Sequence, residues 1–182
     1  IVSTYFGNAQ DPMFSKDANG NPGCFMHRQA SFITSFWPEA AQGQAGVETT
    51  VFPFPSVDAS LPAAALGGGD MWAAFNDREA TKVVAEYLLS ADFHAPAAQM
   101  PNNARMSAHT GFDQSLYSND LYRVMGETIS AALSANSFRF DASDLMPPEV
   151  GGGSFWKEMM NLAVNGPGYI DEALDNIEKS WP

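Results

Sequence analysis

LMPPEVGGGSFWKEMM, Leu145–Met160, sets three glycines in front of a helix-forming run and puts Phe155 and Trp156 on the first turn of that run. A glycine run before a helix can cradle phosphate, because backbone N–H groups and the positive end of the helix dipole both point at the anion. The phosphate loop GxxxxGK[ST], however, needs a lysine directly after its last glycine and then a hydroxyl for magnesium. Here Ser154, Phe155 and Trp156 follow the triplet and Lys157 falls inside the helix, so the spacing argues against a nucleotide. An exposed aromatic pair in that place suits a flatter, uncharged ligand.

The bulk composition agrees. A chain of 182 residues, 45% hydrophobic, is long enough for one good core or two modest lobes. Nine Lys plus Arg against 21 Asp plus Glu give a formal charge of −12 with no basic block, so nucleic acid and anionic membrane surfaces are poor partners. Cys24 stands alone, without a disulfide framework or zinc spacing, and metal is not indicated. His27, His94 and His109 are far apart and read as ordinary polar side chains. No apolar run approaches the ~18 residues of a membrane span, and the opening IVSTYFGNAQDP lacks the basic start and apolar stretch of a signal peptide. The chain therefore reads as soluble, and its abrupt start as that of a mature product or a fragment.

Outward from the glycine triplet, periodicity and punctuation place the remaining elements. Asp11–Gly23 is dense in Asp, Asn, Gly and Pro and reads as a loop. CFMHRQ, 24–29, reads as a short buried strand. Ser31 then caps a helix over SFITSFWPEA, where Phe32/Phe36 and Ile33/Trp37 pair at i, i+4 before Pro38 limits it. Val47, Thr49 and Val51 alternate like a strand that Pro53 and Pro55 end or hold at an edge. Ser56–Asp77 is a connection followed by an apolar, strand-like stretch, with Gly67–Gly69 where the backbone must bend or be approached closely. Asn76 and Glu79 resemble a capping box for REATKVVAEYLLS, the clearest helix, whose Ala80, Val83, Val84, Tyr87 and Leu88 form one face.

Residues 91–112 read as loop-rich and give way to the helix NDLYRVMGETISAALSAN, with Leu121, Val124, Met125, Ile129 and Leu133 turned inward. A second irregular segment over 137–153 leads to the helix SFWKEMMNLAVNG, capped by Ser154 and stopped by Gly166 and Pro167. Ile170, Leu174, Ile177 and Trp181 make a closing amphipathic stripe, and no internal repeat is visible.

Two chemistries remain. Asp141 and Asp144 could act as the carboxylate pair of a glycoside hydrolase if they face each other at a suitable separation. The plainer alternative has one of them capping a turn and the other paired with Arg139. No GxSxG elbow occurs. The aromatics Phe32, Phe36, Trp37, Trp72, Phe155 and Trp156 are the other signal. Each could be core, yet Phe32, Trp72 and Trp156 stand beside glycine-rich or helix-starting segments, where rings can line a cleft and stack on the C–H faces of a sugar.

The order CFMHRQASFITSFWPE, VFPFPSVD, LGGGDMWAAFNDREATKVVAEYLLS and FRFDASDLMPPEVGGGSFWKEMMNLAVNGPGYIDEALDNIEKSWP resembles the C-terminal half of the extracellular solute-binding proteins of carbohydrate ABC transporters, the family that includes maltose-binding protein. The resemblance covers nearly the whole chain. It implies a helix-rich α/β fold, periplasmic-binding-protein-like (type II), here as a C-terminal portion with an incomplete first lobe. Residues 1–60 and 118–182 would belong to the second lobe and 61–117 to a segment crossing towards the first.

The resemblance further implies a non-enzymatic protein without cofactor, working as a monomer. It would bind a carbohydrate between its lobes and deliver it to ABC permease subunits, in the periplasm or outside the cell, with a lipid anchor as one option for the full-length protein. Phe32 would be a ring on the cleft wall with Gln29 and Ser31 nearby. Trp156 would be a stacking ring with Phe155 beside it, and Gly68, Gly69, Asp70 and Trp72 would make cleft or hinge contacts. The likeness lowers the glycosidase alternative for Asp141 and Asp144 without removing it, because two carboxylates do not depend on fold.

Overall fold

A computed structural model of the chain describes residues 3–42, 44, 45, 47–61 and 63–182. In chain order the elements are α1 (Asp11–Phe14), α2 (Glu39–Gln42), β1 (Ala65–Gly67), α3 (Glu79–Leu88), α4 (Ala91–Ala98), α5 (Asp120–Ser134), β2 (Phe138–Phe140), α6 (Phe155–Asn165) and α7 (Ile170–Glu178). A 3-10 helix covers Ser31–Phe36, and a π-helical turn, Val150–Ser154, runs directly into α6. The strands β1 and β2 pair in parallel, with Ala65 N–H donating to Ser137 O and Asp141 N–H to Gly67 O. The result is helix-rich with a small parallel sheet, the coarse α/β character that the sequence leads one to expect.

The chain divides into two compact units. The larger holds Tyr5–Ala65 and Asp70–Phe138. Its core joins Trp37, Phe112, Tyr117, Leu121 and Tyr122 with the small residues Ala45, Ala98 and Ala104. The α5 helix anchors that core. Asn119 accepts the Tyr122 N–H at 3.0 Å as the N-cap, and the Tyr122 hydroxyl donates to Thr34 Oγ1 at 3.2 Å, so a fully buried ring keeps a polar partner. Gly126 is required on this helix, because a Cβ there would come within 2.4 Å of the Tyr117 ring.

The inward face of α5 is carried by Leu121, Tyr122, Gly126 and Ala132, while Leu133, expected inside, is exposed. The α3 helix forms where its pattern says, yet none of its residues is buried, and Val83, Val84 and Tyr87 stay more than half exposed. Amphipathic spacing fixes the helix, but burial of its apolar face needs a partner that this unit does not supply. Asn76 acts at the start of α3 without forming a capping box. Its Oδ1 accepts from Arg78 N–H at 3.2 Å and Thr81 Oγ1 at 2.6 Å, and Arg78 is the N-cap.

Several short-range expectations fail in this unit. CFMHRQ has no regular element and is largely exposed, Ala45 and Thr49 form an isolated bridge in place of a strand, and residues 70–77 have no regular element. Each run has β-like composition without a neighbouring strand to pair with, and unpaired strands are not stable. Residues 31–36 tighten to a 3-10 helix capped by Ala30, with no side-chain cap from Ser31. Within the stretch expected to be loop-rich, α4 forms because Ser90 Oγ accepts the Phe93 N–H at 3.3 Å, and Pro96 is tolerated near its end.

The smaller unit comprises Leu66–Gly69 and Arg139–Pro182 together with Ser3 and Thr4. Here α6 packs on α7, and Val150 and Ala173 are completely buried. The closing stripe faces less inward than expected: Ile170, Leu174 and Trp181 are about half exposed, and α7 packs through the small Ala173. Gly166, at φ 77°, stops α6 as its position predicts. Ser154 is not a side-chain cap, because the π-helical turn places it within helical backbone and its hydroxyl faces that of Ser180 at 2.5 Å. Among the described residues, no helix is long and apolar enough to cross a membrane.

Candidate functional site

At the head of α6 the three glycines do different jobs. Gly151 is buried, and a Cβ on it would lie 1.9 Å from Ser143 O, so only glycine lets the π-helical turn settle on that backbone. Gly152 is exposed, with nothing within 4 Å of the place a Cβ would take, and a Cβ on Gly153 would meet only Pro148 O at 3.7 Å. Two glycines thus leave open backbone three and four positions before Trp156, which is 54% exposed. Phe155 is half-buried and stands edge-on to it, ring centroids 5.8 Å apart at 82°. A π-helical turn is rare and occurs frequently at functional sites.

Behind the rings, α6 is fastened by a buried polar group. Glu158 is 4% exposed and accepts hydrogen bonds from the Tyr169 hydroxyl at 2.7 Å and from Asn161 Nδ2 at 3.2 Å. The Tyr169 hydrogen bond, then that of Asn161, holds the Glu158 carboxyl below the ordinary glutamate range, and the same carboxylate pushes the Tyr169 phenol up. A lowered carboxylate pKa contributes stability above its unfolded value and loses it as pH falls through the folded one. A raised phenol contributes below its unfolded value and loses it as pH rises through the folded one. The smaller unit is therefore expected to weaken at both ends. In denaturation midpoints followed against pH, Tyr169→Phe should lower neutral stability and flatten the alkaline arm; an alkaline arm identical to the parent's would contradict this.

Near the sheet, Gly69 is open, and a Cβ on Gly68 would meet Asp144 Oδ2 at 3.3 Å. Asp141 Oδ1 accepts from Ser143 N–H at 2.9 Å and Ser143 Oγ at 2.8 Å, which makes it the cap of a turn.

In the larger unit, Phe32 belongs to a group of half-exposed rings. Phe6 stands edge-on to Phe32 at 6.0 Å and to Phe36 at 5.3 Å, and the Tyr5 ring is tilted against Phe6 at 4.6 Å. Gly7 permits this, since a Cβ there would strike the Phe36 ring at 2.5 Å, and the fully buried Gln10 ties the two segments by donating to Gly7 O and to Phe36 O. Tyr5 and Phe6 are the residues that sequence reasoning missed; an aromatic pair directly before a glycine was the available signal. Gln29 is exposed with its Oε1 accepting from Ala30 N–H at 2.9 Å, and Ser31 is half-buried. Asp70 pairs with Arg105 at 2.9 Å, both groups exposed, and Trp72 is exposed in irregular backbone.

The larger unit thus joins Phe32 to Tyr5, Phe6 and Phe36, and the smaller joins Phe155 to Trp156 and Gly68 to Asp144. Among the described residues, no three His, Cys, Asp or Glu side chains converge as a metal site would require.

Along its whole length the chain is 34% identical to the osmoprotective compounds-binding protein GgtB of Synechocystis sp., of which it covers 40%. It is likewise 31% identical to the alpha-glucosides-binding periplasmic protein AglE of Rhizobium meliloti, of which it covers 37%. No protein-family model and no solved structure matches it. The chain spans about two fifths of the length of the curated relatives it matches, and both of those are named as binding proteins.

Proposed function

We propose that this chain, part of a solute-binding protein, supplies aromatic walls of a site for a neutral carbohydrate, which the complete protein encloses and passes to an ABC importer permease. The observation that carries this is Trp156, half exposed on the first turn of α6, which follows directly on the open backbone of Gly152 and Gly153. Bare backbone lets a pyranose ring approach, and an indole face matches its C–H face. Phe155 backs the indole. Phe32, with Gln29 and Ser31 beside it and Tyr5 and Phe6 extending the ring group, is a second stacking surface. Gly68, Gly69, Asp70 and Trp72 contribute cleft or hinge contacts where residues 61–117 cross towards the first lobe.

The relative named for alpha-glucosides supports a carbohydrate as the solute. Retention needs no bond-making, so the protein acts without catalysis, as a monomer in the periplasm or outside the cell. Delivery requires only that sugar bind the closed state more tightly than the open one.

Tryptophan fluorescence of this chain and of the protein it is part of, titrated with malto-, gluco-, galacto- and xylo-oligosaccharides, tests the proposal. A saturable change in both places a working half-site here, and a change in the longer protein alone makes the rest of it necessary. No change in either would refute carbohydrate binding.

A further inference from the structure

The larger unit has an open cavity of about 370 Å³ whose lining includes no aromatic side chain. Its polar lining is Gln42, Gln99, Asn102, Ser118 and Asn119, with apolar patches from Ala45, Pro101 and Leu116. On a chain carrying 9 basic and 21 acidic side chains, no ionisable group lines it. Such a lining offers neither sign of ion a Coulombic partner, yet it presents four carboxamides, each with donors and an acceptor.

The walls are partly preset. Gln42 Nε2 donates to Trp37 O at 2.7 Å, which leaves its carbonyl oxygen as an acceptor for a guest. Asn119 Oδ1 is spent on the cap of α5, which leaves its amide as a donor. Ser118 N–H donates to Ala98 O at 3.1 Å and holds the start of α5 against the end of α4. Gln99 and Asn102 make no side-chain hydrogen bond among the described residues and are free to adjust. Fixed and adaptable amides around a small apolar floor match a molecule whose hydroxyls lie at its edge and whose C–H groups lie on its face. A few hundred cubic ångströms is the scale of small-ligand sites.

We propose that this cavity is a second binding site, built from residues other than the exposed rings, for a small neutral polyhydroxylated molecule of mono- to disaccharide size. It does not depend on the carbohydrate role of Trp156. The test is a titration of the intact chain with trehalose and with sorbitol, following the side-chain amide ¹H–¹⁵N resonances of Gln42, Gln99, Asn102 and Asn119. Saturable shifts at those amides are expected, with an apparent affinity, read from the remaining Gln42 and Asn119 amides, at least tenfold weaker in the Gln99→Ala/Asn102→Ala variant and unchanged in Trp156→Ala. Absence of saturable shifts, shifts that survive the double substitution, or shifts abolished by Trp156→Ala would each overturn the proposal. Gluconate at equal concentration should leave the same resonances in place, and an equal response to it would also count against a neutral-solute site.

Discussion

Gly151→Ala is expected to destabilise the smaller unit by about 3 kcal/mol, at the upper end of what overpacking costs, whereas Gly152→Ala one residue on should stabilise it by about 0.5 kcal/mol. The obstacle at Gly151 is backbone. The new Cβ would sit 1.9 Å from Ser143 O, 3.0 Å from Ser143 C and 3.1 Å from Met146 Cβ, so no side-chain rotation can clear it. Relief requires moving either the Ser143–Leu145 turn, which Asp141 holds through two hydrogen bonds, or the π-helical turn, which Val150 anchors at 0% exposure. Gly152 has an ordinary negative φ and nothing within 4 Å, so alanine there only narrows the unfolded ensemble. Urea denaturation of the two variants side by side decides the matter. Equal midpoints would mean that the turn does not rest on Ser143 as described.

The pair also separates packing from binding at the same three residues. If the strip at Gly152 and Gly153 admits a sugar, Gly152→Ala should weaken binding while the protein becomes slightly more stable. Loss of function with gain of stability is a signature that a purely structural role cannot produce.

How legible all this was in the sequence depends on the range of the interaction. Helices α3, α5, α6 and α7 were readable because their spacing repeats over several turns and their ends carry local chemistry, Asn119 before α5 and Gly166 after α6. Strands were not readable in the same way. CFMHRQ has the composition of one, but a strand exists only through a partner, and composition does not say whether a partner arrives.

Burial failed for a related reason. Val83, Val84 and Tyr87 form an apolar face that this unit leaves open, in a chain that spans two fifths of its relatives. At the candidate site, Trp156 and its glycines were visible as a motif. The division of labour between Gly151 and its two neighbours was not, because it depends on Ser143, eight positions upstream and brought close only by the turn. Tyr5 and Phe6 were hidden likewise, since their contact with Phe32 and Phe36 bridges about thirty residues and is stapled by the buried Gln10.

Trp156→Ala carries the second large effect, and its value lies in what it should leave alone. An indole stacked on a sugar contributes about 1.5 kcal/mol, or roughly tenfold in affinity; a larger loss would follow if the ring also shields hydrogen bonds to the solute. An indole committed to the core would instead cost about 3–5 kcal/mol of stability on truncation. With 54% of Trp156 already in solvent and its contact with Phe155 edge-on, most of that core term is missing, and the stability change should stay under about 1 kcal/mol. The measurement is paired: sugar affinity of the protein that contains this chain, and denaturation midpoint, each for Trp156→Ala and Trp156→Phe. A phenyl ring keeps a face for the sugar, so Trp156→Phe should recover much of the affinity that Trp156→Ala loses. Several kcal/mol of destabilisation with affinity intact would place the ring in the core and remove the observation on which the carbohydrate site rests.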